Sequence, residues 1–156
     1  MITLHEIGWV RADERGARIE LTPEAAPGLA GLEGFSHAVV LWWAHHLDRP
    51  EHRTTRTVRS PYRDGPEVLG VHATRSPARA NPLGLSVSAI TAVLPGRGVL
   101  ECGHLDAADG TPVVDIKPYQ PSVDRVAAPA VPSWAADWPR CVEDSAHFDW
   151  DSVLAP

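Results

Sequence analysis

Three groups of residues in this sequence have types and spacing suited to chemistry. In residues 72–86, "HATRSPARANPLGLS", Arg75 and Arg79 stand four residues apart beside turn formers, ahead of Asn81-Pro82 and a strand-like run. A guanidinium grips a carboxylate or phosphate through paired, charge-assisted hydrogen bonds. Pro77 and Pro82 stiffen the loop, so less order is lost on binding. In residues 109–119, "DGTPVVDIKPY", a Gly-Thr-Pro turn leads into a strand carrying Asp115 and Lys117, with Tyr119 at its end. On a period-two strand Val113, Asp115 and Lys117 share one face, and Val114 and Ile116 face the core. Composition alone also fits an ordinary half-exposed strand here. Third, His45 and His46 close an apolar run. On a strand they point to opposite faces and cannot easily share one metal.

Much chemistry is disfavoured. The chain has no GxGxxG fingerprint, no P-loop and no GxSxG elbow. No His/Cys set has zinc-site spacing, so no metal is expected. Cys102 and Cys141 form no CxxC pair and read as free thiols. The formal charge is −6, from 20 acids and 14 bases, which by itself does not advertise nucleic-acid binding. Residues 49–79 are the exception, with seven arginines against three acids. That segment fits a local anion-binding surface and equally a solvated loop. No apolar run approaches a membrane span, and the N-terminal residues lack a signal-peptide pattern, so a cytoplasmic location is expected.

The elements that must position these residues are short. Fifteen prolines and twelve glycines among 156 residues disfavour long helices. Strands are predicted over 5–12, 17–21, 37–46, 67–73, 82–94, 98–105 and 113–117, with one or two helical turns in 22–35. The turn at 95–98 joins two of these strands as a hairpin. Strands joined by short turns argue for an all-β or β-dominated barrel. Residues 126–156 form a Pro- and Trp-rich arm. Trp134, Trp138 and Trp150 are too apolar to leave in water, so the arm is expected to dock on the barrel or on a partner subunit.

Taken together, "GLEGFSHAVVLWWAHH" (31–46), "GVHATRSPARANPLGLS" (70–86) and "DGTPVVDIKPY" (109–119) resemble the TrmO (TsaA, YaeB-like) family. The likeness covers about residues 5–125. It implies a small single-sheeted β-barrel over residues 1–125, homodimeric, binding S-adenosylmethionine (SAM). The activity it implies is N6-methylation of threonylcarbamoyladenosine at position 37 of tRNA. Carried over by motif, the cofactor residues are His45, His46, Arg75, Leu85, Asp109, Gly110, Thr111 and Pro112. Arg79, Asn81 and Lys117 are expected at the substrate, and His46, Asp115 and Tyr119 are the candidates for a base. The sequence departs from the family pattern in "RANP" for RPNP, in "AHH" for FHQ, and at its N-terminal segment, which has no match to a PRQ-like element. Two other readings fit the same residues: transfer of a SAM-derived group to a small molecule, and a SAM-binding module without turnover.

Overall fold

The computed structural model describes residues 2–14 and 16–155. Six strands close a barrel: β1 (Gly8–Asp13), β2 (Gly16–Leu21), β3 (His37–Trp43), β6 (Leu83–Leu94), β7 (Val99–Cys102) and β8 (Pro112–Pro118). Their order around the wall is β1-β2-β7-β6-β3-β8, every pair antiparallel. The expected barrel is therefore present. The charged turn between β1 and β2 includes Arg15, which lies outside the described residues.

Alternation builds the interior. Val10, Ile19, Ala38, Val40, Leu100 and Val113 are fully buried and belong to one cluster with Cys102, Leu29 and Leu105. Burial pushes the Cys102 thiol up to about 11, with the neighbouring Ser88 hydroxyl pulling it back. Cys102 and Cys141 are both free thiols.

Two sequence expectations need correction. Val113, not Val114, is the fully buried residue on β8, and Ile116 packs on the same core. The pairing of β3 with β8 shifts between Leu41 and Trp42, where Leu41 faces Asp115 and Trp42 faces Val113. This bulge inserts one residue and breaks strict alternation, so Val113 and Asp115 do not share a face. Second, the strand expected over 67–73 is only Val68–Gly70 (β5). It pairs with β4 (Thr57–Arg59) in a separate two-stranded sheet outside the barrel.

The strand expected over 37–46 stops at Trp43, and a 3-10 turn follows at His45–Leu47. At its upper end the longest strand, β6, has β3 on one side only, because β7 accompanies it just from Ile90 to Leu94.

The tail folds onto the tip of the β4–β5 hairpin. Tyr62 stacks on Trp134 with ring centroids 4.9 Å apart, and Trp138 meets both rings edge-on. Trp150 and Phe148 extend the cluster. The Arg63 N–H donates to the Val153 carbonyl at 2.9 Å, and the Ala155 N–H donates to Pro61 at 3.2 Å. Aromatic pairs of this kind add about 0.5–1.5 kcal/mol each beyond area burial. No described helix is long and apolar enough to cross a membrane.

Candidate functional site

The loops after β3, before β6 and before β8 converge at one end of the barrel. Between them lies a cavity of about 350 Å³, within the range of small-molecule sites. The end of β3 and its 3-10 turn supply Trp42, Ala44, His45, His46 and Leu47. The loop ahead of β8 supplies Leu105 to Ala108 and Thr111, and the arginine-bearing loop supplies Pro77. The walls are mainly apolar, with two imidazoles, the Asp106 carboxylate and the buried Thr111 as polar exceptions.

His45 and His46 do not diverge as adjacent strand residues would. They stand in a 3-10 turn, where period two no longer applies, and their rings lie 3.9 Å apart. The Nδ1 atom of His45 is buried and has no hydrogen-bond partner among the described residues. Such an atom costs about 1–3 kcal/mol when left unsatisfied.

The turn is held by a latch. The Trp43 Nε1–H donates to Asp48 at 2.9 Å, and the Arg53 guanidinium donates to the same carboxylate. Arg53 also lies 5.4 Å from the Trp43 ring centroid and donates to the Ala80 carbonyl at 3.3 Å. His52 Nδ1 sits 3.0 Å from the Leu47 carbonyl. These contacts tie the two-histidine turn to the loop that enters β6. Arg53, and then the Trp43 N–H, hold the Asp48 carboxyl below the usual carboxylate range. A carboxylate whose folded pKa is depressed adds stability above its unfolded value of about 4 and loses it as pH falls through the folded value. Asp48→Asn should therefore lower the unfolding midpoint by roughly 2–4 °C at pH 7 and by less at pH 3, below the unfolded carboxylate value. Thermal scans at both pH values check this, and an equal loss at both would refute the electrostatic account.

Arg79 is a brace. Its Nε donates to the Ser76 carbonyl at 2.7 Å, and its Nη2 donates to Thr74 at 2.7 Å and to Val71 at 3.2 Å. The buried Thr74 hydroxyl also donates to Val71. The Asn81 carbonyl accepts from the Leu83 N–H. Arg75 is exposed and donates to the Leu85 carbonyl at 2.9 Å, on the unaccompanied edge of β6. Neither Arg75 nor Leu85 lines the cavity.

The Gly-Thr-Pro turn is tied to β1. Asp109 accepts from the Ala12 N–H at 3.1 Å, and the Gly110 N–H donates to Val10. Gly110 has φ +76°, which a side chain would resist. Thr111 is buried, its carbonyl accepts from the Val10 N–H, and Pro112 pairs with Trp9. Of this turn, Thr111 alone reaches the cavity wall.

Asp115, Lys117 and Tyr119 lie away from the cavity. Lys117 pairs with Asp115 at 2.6 Å, which raises the lysine above its ordinary value. Tyr119 meets His37, at the start of β3, edge-on at 6.4 Å. His37 is six residues from Trp43, about 20 Å along a strand. Asp115 lines a second, mostly apolar cavity of about 450 Å³ at that opposite end. The structure thus gathers His45, His46 and Thr111 at the cavity, keeps Asp109, Gly110 and Pro112 in the turn beside Thr111, and places Asp115, Lys117 and Tyr119 away from it. Sequence reasoning missed Trp42, Pro77 and Leu105 to Ala108. Trp42 was within reach, because alternation from Ala38 and Val40 points it inward.

The model for the tRNA-methyltransferase O N-terminal domain matches residues 10–125. A probable S-adenosyl-L-methionine-binding protein of Methanothermobacter thermautotrophicus is 38% identical over 122 residues, covering 74% of this chain and 78% of that protein. A tRNA (adenine(37)-N6)-methyltransferase of Escherichia coli K12 is 44% identical over 103 residues, covering 65% of this chain but only 43% of that protein. The crystal structure of TrmO from Pseudomonas aeruginosa superposes with a TM-score of 0.64 at 29% identity, covering 83% of this chain and 61% of that one. The chain spans 30% of a probable S-adenosyl-L-methionine-binding protein of Archaeoglobus fulgidus, to which it is 44% identical over 116 residues.

Proposed function

The chain belongs to the TrmO N-terminal-domain family, and on that premise we propose that it is a SAM-dependent methyltransferase acting on the N6 atom of adenine 37 in tRNA, in its threonylcarbamoylated form. The observation that carries the cofactor site is the His45 Nδ1, unpartnered among the described residues, beside a mainly apolar cavity that His45 lines. When bound, SAM supplies an electrophilic methyl group on a sulfonium. The residues present suit that molecule. Trp42, Leu47, Leu105 and Ala107 offer apolar walls for its adenine and exclude water. His45 Nδ1 gains the hydrogen bond it lacks. Asp106 and the Trp42 ring favour a positive charge. Asp109, Gly110 and Pro112 hold Thr111 against this wall.

Methyl transfer to carbon-bound nitrogen is an in-line displacement. The chain's main tasks are alignment and exclusion of water. The carbamoylated N6 must give up its one proton as it gains the methyl group. Of the three base candidates, His46 alone lines the cavity, and it is exposed at the mouth, so we assign it that role. The reading also includes a homodimer in the cytoplasm. Exposed Leu83 and Leu85 on the one-sided stretch of β6 support a second copy at that face.

The test is methyl-labelled SAM incubated with bulk tRNA from cells lacking this modification activity. Label should enter tRNA, and nuclease digestion should place it on N6 of adenine 37. Label in small metabolites, with the tRNA unlabelled, would overturn the reading.

A further inference from the structure

No described residue of the Trp-rich arm lines the cavity, yet the arm packs where it can act on it. Tyr62, at the tip of the β4–β5 hairpin, stacks on Trp134, meets Trp138 edge-on, and pairs with Leu154 through an isolated bridge. The Arg63 guanidinium donates to the Asp151 carbonyl at 3.2 Å. The hairpin has two strands of three residues each and pairs with no described strand of the barrel. Such a hairpin is marginal in water on its own, so its order comes from the arm laid over its tip.

The base of the hairpin runs into the cavity loops. A helical turn at Pro50–Arg53 leads into β4, and β5 leads into the loop that carries Pro77. Buried Val71 closes the base. Its N–H donates to the Arg56 carbonyl at 3.0 Å, and its own carbonyl accepts from Arg79 at 3.2 Å and from the Thr74 hydroxyl at 2.9 Å. Arg56 in turn donates to the Arg53 carbonyl at 3.2 Å, and the Arg53 side chain holds Asp48 and the Ala80 carbonyl. Bonded contacts therefore join the hairpin base to the two-histidine turn on one side and to the Pro77 loop on the other. The third wall segment, Leu105 to Thr111, is set between β7 and β8 of the barrel.

We propose that the arm is a clamp for the cofactor cavity, with Tyr62 as its positioning residue. Docked, the arm orders the hairpin and keeps the two loops at the spacing that binds SAM. Released, it lets both loops loosen, and SAM must then restore their order at a cost to affinity. The proposal rests on the SAM reading of the cavity. Two binding events that share one ordered element are coupled, and the coupling is reciprocal: the factor by which the arm strengthens SAM is the factor by which SAM strengthens arm docking.

The test is calorimetry with SAM together with amide hydrogen exchange. Tyr62→Ala and Trp134→Ala remove the stack from its two sides, and each should weaken SAM about fivefold or more, the low end of site-to-site coupling. Tyr62→Phe keeps the ring and should bind as the wild type does. So should Val126→Ser, on an exposed part of the arm. In the wild type, saturating SAM should slow exchange of the Arg63 and Ala155 amides, which are bonded across the dock. The slowing should match the factor by which Tyr62→Ala weakens SAM. A tyrosine that only supports the fold would leave those amides indifferent to SAM. Loss of Ala155 protection in either alanine variant, with SAM affinity unchanged, would overturn the proposal and leave the cofactor reading standing. Weakened affinity in Tyr62→Ala alone, with Trp134→Ala binding as the wild type does, would also overturn it. A wild-type protein without affinity for SAM sinks both.

Discussion

Replacing Gly84 with alanine should lower the unfolding midpoint by roughly 5–10 °C and weaken cofactor binding about tenfold or more. Gly84 faces Trp42 across the β3–β6 pair. A Cβ added there would collide with the carbons of the Trp42 indole. The ring cannot swing aside freely, because its Nε1–H donates to the Ser86 hydroxyl at 3.0 Å. Nor can the strand, because β3 is paired on both sides, to β6 and to β8. Overpacking of this kind costs about 1–3 kcal/mol, and a lost buried hydrogen bond adds about 1 kcal/mol. Trp42 is also a wall of the cavity, so the same displacement reaches the ligand. Gly70→Ala is the matched control, since a Cβ there meets nothing and its φ of −62° suits any residue. The coupling is testable as a cycle: in a Trp42→Leu background, Gly84→Ala should cost less than about 1 kcal/mol. Equal costs in the two backgrounds would show that the indole is not what the new methyl meets.

The barrel was legible because its strands alternate and are separated by Gly and Pro. Val10, Ile19, Val40 and Leu100 all point inward as period two requires. The bulge opposite Leu41 was not legible. Nothing in "PVVDIKP" marks an extra residue, and the shift appears only when β8 is set against β3. The small β4–β5 sheet was missed for a related reason. Thr57–Arg59 is three residues long and polar, and it becomes a strand only through pairing with Val68–Gly70.

The candidate site divides along the same line. The two histidines and Thr111 could be named from motifs. Their meeting at one cavity depends on the loop after β3 turning back as a 3-10 segment, latched by Asp48 and Arg53. Arg79 reads from its motif as a substrate contact, and its three carbonyl partners within the loop support a bracing role. Arg75 reads from its motif as a cofactor grip, and its guanidinium lies on the edge of β6, at the Leu85 carbonyl. Motif spacing gives proximity along the chain. Which side of a loop a long side chain takes depends on partners far away in sequence.

His45→Phe should move stability and affinity in opposite directions. The His45 Nδ1 is buried without a partner among the described residues, and whichever tautomer is present that atom must donate or accept. Phenylalanine keeps the flat ring against His46, now 3.9 Å away, and removes the unsatisfied atom. The ligand-free protein should therefore be as stable as the wild type or more stable by about 1 kcal/mol. SAM affinity, measured by calorimetry, should fall roughly 10–100-fold, the worth of about 1.4–2.7 kcal/mol. A histidine serving only the fold would show the reverse, with stability lost and affinity kept. Proteins retain an unsatisfied buried atom where a ligand completes it, and the sign of the two changes together tests whether this cavity is such a place. If the Phe variant binds SAM as tightly as the wild type, the cofactor lies elsewhere and the assignment of this cavity fails.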